Sequence, residues 1–205
     1  MRLVSLNVGR ARWLDGVRTA VQKRPVSGRV WLGPEGLEGD EQADRHHHGG
    51  ADQAVCVHPL EHYAYWRERL LRPLYPGEMG ENFTTMGLLE PEVVVGEVWR
   101  VGTARLQVSG PRAPCGKPGK LHGEPRLGAW MEATGYTGWY LRLLEPGWVW
   151  AGCPVERLEV PTHGVTVAEV VRVAYRDRED AEARARIAQL PELAARWRAR
   201  LGDGG

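Results

Sequence analysis

Apolar and polar positions alternate with period two, or β-branched residues cluster, in several short stretches bounded by glycine or proline. These stretches predict strands over Arg2–Val8, Arg29–Leu32, Gln53–Val57, Val93–Val101, Ala104–Ser109, Trp148–Ala151 and Val155–Val160. Helical spacing is rarer. From Pro59 to Leu71 it sets Leu60, Tyr63, Ala64, Leu70 and Leu71 on one face, with Pro59 at the first helical position and Pro73 as a stop. Pro125 opens a shorter helix that groups Leu127, Trp130 and Met131 before Gly135 ends it. Gly138 to Leu144 fits a helix or a strand. Many short strands with few helices predict a mainly β fold, a small barrel or sandwich.

The pattern changes after Pro161. Thr166 and Glu169 form a capping box, and Val167, Val170, Val171 and Ala174 are spaced for one helical face. Arg178 to Gln189 continues as a second helix, and Pro191 begins a third that presents Leu193, Ala194, Trp197 and Leu201. Helices this short are unstable alone and are expected to pack on one another or on a partner. The reading is a β domain over 1–161 and a small α-helical subdomain over 162–205.

Composition narrows the class. A chain of 205 residues holds one sizeable domain, or one domain with a small appendage. No apolar run reaches the roughly 20 residues of a membrane helix, and Met1 to Arg12 lacks a signal-peptide pattern, so a cytoplasmic protein with no membrane partner is expected. Net charge is +1, which gives no global pull toward nucleic acid. Nine tryptophans against one phenylalanine are scattered and read as packing residues. The cysteines Cys56, Cys115 and Cys153 are odd in number and widely spaced, so neither a disulfide framework nor a zinc knuckle is indicated.

One of them has unusual company. Pro111-Arg112-Ala113-Pro114-Cys115-Gly116-Lys117-Pro118-Gly119-Lys120 holds two of the chain's three lysines and an arginine in a run whose prolines and glycines predict a non-helical loop. Nearby cations favour thiolate, the form that attacks electrophiles and binds soft metals. A buried, inert cysteine in a surface turn is the plainer alternative. Upstream, Gly36-Leu37-Glu38-Gly39-Asp40 and Arg45-His46-His47-His48-Gly49-Gly50 have the composition of loops that serve a site. Adjacent histidines on an extended chain face opposite ways, so only His46 and His48 can share a side, and zinc spacing is absent. The glycines after His48 let backbone approach a ligand. Asn82, in Gly80-Glu81-Asn82, offers both donors and an acceptor. Nucleotide-binding glycine loops and the Gly-x-Ser-x-Gly elbow are missing. A cysteine nucleophile with His48, His58, His62 or His122 as base stays open on composition.

In order, Gly36-Leu37-Glu38-Gly39-Asp40, His48-Gly49-Gly50, His58-Pro59-Leu60-Glu61-His62-Tyr63, Gly80-Glu81-Asn82 and Pro111-Arg112-Ala113-Pro114-Cys115 resemble a MOSC domain, named for the C-terminal domain of molybdenum cofactor sulfurases, from Leu3 to Val160. The tail from Thr166 resembles the three-helix extension of the YiiM-like subfamily linked to 6-hydroxylaminopurine resistance. The resemblance implies a closed β-barrel with a helical appendage and a molybdenum-molybdopterin cofactor ligated by Cys115. Arg112, Lys117, His48, Asn82 and Asp40 would line the cofactor pocket; on chemical grounds the Gly49-Gly50 pair would let backbone amides reach its anionic oxygens, and His48 or a metal-bound water would supply the proton that N–O reduction needs. It also implies reduction of small N-hydroxylated compounds with electrons from a separate electron-transfer protein. The alternative implied role is a sulfur carrier with a persulfide on Cys115. Pyridoxal phosphate is not expected, since the chain lacks room and lysine context for the domain that uses it. The chemistry is self-consistent: a phosphate-bearing pterin with a dithiolene suits cations beside a soft thiolate, and the tail is a candidate docking unit for the electron donor.

Overall fold

The computed structural model describes residues 1–43 and 50–202. The chain opens with β1 (Arg2–Val8), a hairpin of β2 (Arg12–Leu14) and β3 (Val17–Thr19), then β4 (Arg24–Pro25), β5 (Val30–Gly33) and β6 (Gly36–Leu37). A 3-10 turn at Ala51–Gln53 leads into β7 (Val55–Pro59), and a second at Leu60–His62 starts α1 (Tyr63–Leu70). There follow β8 (Phe83–Met86), β9 (Val98–Val101), β10 (Ala104–Pro111), α2 (Gly116–His122), α3 (Leu127–Thr134), β11 (Trp139–Glu145), β12 (Gly147–Val149) and β13 (Val155–Glu159). The tail holds α4 (Val167–Val171), which runs into a π turn at Arg172–Arg176, then α5 (Ala181–Ala188) and α6 (Ala195–Gly202).

An eight-stranded mixed sheet carries the molecule, in the order β13-β9-β10-β11-β7-β8-β1-β4. β7 and β8 are its one parallel pair among the described strands, joined by the crossover through α1 as parallel pairing requires. The sheet curls until Leu3 of β1 exchanges backbone hydrogen bonds with Cys153 and Gly152, at 3.1 and 2.6 Å. The expected closed barrel is corrected here to a curled half-barrel. β1 and β13 meet there only at an isolated bridge between Arg2 and Pro154, flanked by a bond from the Val155 N–H to the Met1 carbonyl at 3.3 Å, and not through a ladder.

One open reading closes and three further expectations change. Gly138 to Leu144 is strand, because Trp139 and Leu141 alternate into the core between β10 and β7. The strand expected from Val93 starts only at Val98, since Gly96 has φ +89° and the Glu97 carboxylate accepts the Val94 N–H in a turn. Leu71, placed on the buried face by its spacing, sits in a left-handed cap at φ +52° and is 90% exposed. The non-helical reading of the cysteine loop holds only to Cys115, because Gly116–His122 forms α2. Pro118 falls in the first turn, where a backbone N–H has no helical partner anyway, and Gly123 closes the helix at φ +67°. The β2–β3 hairpin, turned at Asp15-Gly16 with both φ positive, also escaped the periodicity, as did β4, β6 and β8.

Three apolar clusters hold these pieces. Leu3, Leu6, Leu106, Trp99 and Trp139 fill the curl of the sheet, the two indoles edge to face at 5.9 Å. Tyr63, Trp66, Leu74, Met79, Leu127 and Met131 join α1 to α3. The third cluster packs Val170, Ile187, Leu193, Trp197 and Leu201 of the tail with Val95. That tail docks on the end of β10. Ala194 N–H donates to the Ser109 carbonyl at 2.7 Å and Trp197 Nε1 to the Pro111 carbonyl at 2.8 Å. Gly110, at φ +140°, makes the approach possible, since a Cβ there would lie 3.0 Å from Leu193 and 3.1 Å from Trp197.

Candidate functional site

β10 ends at Pro111 and delivers Arg112 into the interior. Its backbone N–H bonds the Gly138 carbonyl at 3.1 Å, and its Nη1 donates to the Met79 carbonyl at 2.6 Å. Ala113 and Pro114 then carry the chain out, and Cys115, extended at φ −142° and ψ 163°, caps the start of α2. The thiol is partly exposed, while Arg112 beneath it is buried.

Near this loop is a polar wall built from four distant segments. Asp40 Oδ1 accepts from Lys23 Nζ at 2.5 Å and from Gly9 N–H at 2.7 Å, and its Oδ2 accepts from Asn82 Nδ2 at 2.9 Å. Asn82 Oδ1 in turn accepts the Cys56 N–H at 3.2 Å. Lys23 and Asp40 side chains are each only 8% exposed, so the pair is nearly dry. Between the walls lies a cavity of about 80 Å³. Lys23, Asp40, Asn82, Arg112, Cys115 and Lys117 line it, and Cys56 and Tyr140 also border it.

Burial pushes the Cys56 thiol up, against the pull of Arg112 and Lys23. Burial likewise raises the Tyr140 hydroxyl, helped by Cys56. Loss of water works to lower the Arg112 guanidinium, but Cys56, Tyr140, Cys115 and Glu81 together outweigh it and keep it charged. The cleft therefore holds one cation that does not titrate under working conditions, with two sulfurs nearby.

Of the residues singled out in the sequence, Asp40, Asn82, Arg112, Cys115 and Lys117 come together on this cleft. Gly50 stands apart from its lining; at φ 89° it turns the chain into the 3-10 segment that brings Gln53 to the cavity. His46, His47, His48 and Gly49 lie outside the described residues. Lys120 donates to the Asp15 carbonyl at 3.3 Å and takes no part in the lining. The other candidate bases also sit elsewhere. His58 is fully buried and accepts from Trp66 Nε1 at 3.2 Å. His62 pairs with Glu90 at 2.8 Å, and His122 with the Glu78 carbonyl at 2.7 Å. Burial, with His62 and Arg112 close by, drops His58 well below its ordinary range. Among the described residues no histidine borders the Cys115 cavity, and no group of three or more His, Cys, Asp or Glu side chains is arranged to hold a metal ion.

Lys23, Cys56 and Tyr140 were missed by sequence reasoning. Lys23 had one usable signal, its rarity as one of three lysines. Cys56 and Tyr140 sit in apolar strand stretches and look like core until the cross-strand pairing of Tyr140 with Cys56 is seen.

This fold and cleft have clear relatives. The MOSC domain family matches residues 44–156, and the YiiM-like, 3-alpha helix domain matches residues 165–202. The chain belongs to the MOSC family and carries the YiiM-like helical extension. It is 43% identical over 201 residues to the uncharacterized protein YflK of Bacillus subtilis (strain 168), covering 96% of this chain and 91% of that one. The crystal structure of YiiM from Geobacillus stearothermophilus superposes with a TM-score of 0.86 at 35% identity, covering 99% of this chain and 98% of the other. A protein named "Reductase" from Gibberella moniliformis (strain M3125 / FGSC 7600) is 33% identical over 179 residues, which span 85% of this chain but only 32% of that longer protein.

Proposed function

We propose that this chain is an oxidoreductase that holds a molybdenum-molybdopterin cofactor through Cys115 and reduces small N-hydroxylated compounds such as hydroxylaminopurine. The observation that carries the reading is the cleft itself: a partly exposed cysteine, a buried arginine and two lysines, Lys23 and Lys117, line one cavity. The donor set fits the group. A soft sulfur suits molybdenum, and a guanidinium with two ammonium groups suits the phosphate of the pterin. MOSC domains are associated with this cofactor, and a relative named as a reductase supports redox chemistry.

When bound, the cofactor supplies the two-electron reduction of the N–O bond. The residues around it do the remaining work. Cys115, at the start of α2, would hold the metal. Arg112, locked by Met79 and Gly138, presents fixed positive charge where an anion must sit. Asp40 orients Lys23 and Asn82 by hydrogen bonds to both. His48 remains the proposed proton source for the departing oxygen. Electrons come from a separate electron-transfer protein in this reading. No helix among the described residues is long and apolar enough to cross a membrane, and a cytoplasmic setting is proposed.

The test is molybdenum content by mass spectrometry and pterin by fluorescence, on protein from a host that makes the cofactor. Wild type should carry both, and Cys115→Ser should lose the metal. No molybdenum in either protein rejects the reading. A second reading, a sulfur carrier, is favoured by the partial exposure of Cys115, which a delivering sulfur needs. Intact mass showing one extra sulfur on Cys115, without pterin, would select it.

A further inference from the structure

The helical tail reaches the thiol cleft by two routes. Trp197 Nε1 donates to the Pro111 carbonyl at 2.8 Å, one residue before Arg112, and Ala113 just after it packs against the tail's apolar cluster. The Ala195 N–H donates to Asp52 Oδ2 at 3.3 Å, one residue before Gln53. Arg112 and Gln53 both line the cavity that Cys115 borders. The first turn of α6 is therefore pinned, through Ala195 and Trp197, to two segments of the cavity wall.

Between these anchors stands Arg196, which is exposed. Its charge is felt at the cavity. Burial raises the hydroxyl of Tyr140, a lining residue, and Arg112 and Arg196 both act against that rise. The other cations of α6 are placed differently. Arg200 lies over the rings of Tyr175 and Trp197, at 4.4 and 5.4 Å from their centroids, and donates to the Tyr175 hydroxyl at 3.2 Å. Arg198 is two positions on from Arg196, about 200° around the helix, and points another way. Asp52, the acid joined to this turn, is paired with Arg142 at 2.8 Å, which offsets its charge.

We propose that the tail is part of the binding cleft, with Arg196 at its mouth as an entry cation that draws small anions toward Cys115. The proposal rests on the reading of the thiol cleft as the binding site and deepens it, since the tail then selects what enters as well as holding β10. It does not depend on molybdenum. A cation beside a cleft raises the local concentration of anions and their rate of entry.

The test compares alkylation of Cys115 by iodoacetate and by iodoacetamide, in the full chain made without cofactor. In both, the thiolate displaces iodide and a carbon–sulfur bond replaces the carbon–iodine bond. Only iodoacetate carries a negative charge. The ratio of the two rates at Cys115, read by peptide mass spectrometry, cancels any change in thiol ionisation, which affects both reagents alike. Arg196→Gln should lower that ratio about two- to threefold at low salt, as loss of one charge at a solvated mouth does. The difference should vanish in about 1 M salt. Arg196→Lys should keep the ratio and Arg198→Gln should leave it unchanged, with thermal melts confirming that each variant is folded. The proposal is overturned by an unchanged ratio in Arg196→Gln, by an equal fall in Arg198→Gln, or by a fall that persists in Arg196→Lys. The expected ratios in a protein that never carries molybdenum would keep Arg196 in the cleft while removing the reductase reading.

Discussion

The thiol cleft and the three-helix tail meet at the end of β10, one beyond Pro111 and the other against Gly110, and they are held by different forces. The cleft wall is a chain of polar contacts, Lys23 to Asp40 to Asn82 to Cys56, whose members come from four separate parts of the sequence. The tail is an apolar cluster of Val170, Ile187, Leu193, Trp197 and Leu201 with only a few polar bonds to the sheet. Polar contacts in a dry site depend on the identity of each partner, because a group left unpaired keeps its full desolvation penalty. An apolar cluster depends mainly on volume. The tail thus serves as a buttress behind the strand that aims Arg112 and Cys115, while the opposite wall sets what charge the cleft can receive.

The largest effect that would test this division is Trp197→Ala. Loss of a buried tryptophan should cost about 3–5 kcal/mol of stability in urea unfolding, and it leaves the Pro111 carbonyl without its indole donor. On the proposed function, molybdenum retention should fall as well. Full metal content in a destabilised variant would break the buttress idea. Next comes Lys23→Ala, which should cost about 3 kcal/mol as one half of a buried pair. This sits at the lower end of the range because Asp40 keeps Gly9 and Asn82 as donors. Lys23→Met with Asp40→Asn should recover much of that stability but not cofactor binding, which separates folding from function on the polar side.

Acid should act on the sheet side of the molecule rather than on the tail. His58 is kept neutral by burial in the folded state, whereas the unfolded chain protonates it at its ordinary value. Stability is then full above pH about 6.5 and falls by about 1.4 kcal/mol per pH unit as pH drops toward the folded value. His58→Gln should flatten that slope in denaturant titrations across pH. His122 is lowered in the same direction, also by burial, but is more open to water and should contribute less. The smallest effect is Thr166→Ala, which removes the side-chain acceptor for the Glu169 N–H and should cost about 1 kcal/mol. It should leave cofactor content untouched.

Legibility in the sequence followed the range of the interactions. The tail helices could be read because their causes are local: Thr166 caps α4 as its capping-box pattern predicts, and Trp197 and Leu201 fall at helical spacing, although the helix read from Pro191 begins only at Ala195 and leaves Leu193 and Ala194 outside it. Strands with clean alternation, such as Arg2–Val8 and Ala104 onward, were also legible. The hairpin at Asp15-Gly16 carried a turn signal, but its strands are only three residues each and show no alternation. In the site, the cysteine loop announced itself through its clustered cations. Lys120 misled, because composition cannot tell a cation facing the cavity from one bonded to the Asp15 carbonyl.

By itself the sequence determined the β-rich body, the helical tail and the ordered motifs of a MOSC domain, and it singled out Cys115 as the sulfur proposed to react. All of these rest on spacing within a few residues or on the order of short motifs. Tertiary structure decided what surrounds that sulfur. The curl of the sheet, with Asn82 entering β8 beside Cys56 on β7 and Arg112 leaving β10, brings Lys23, Asp40, Cys56 and Tyr140 to one cavity. Strand pairing sets residues far apart in the chain side by side, and no local pattern records which partner each strand will take.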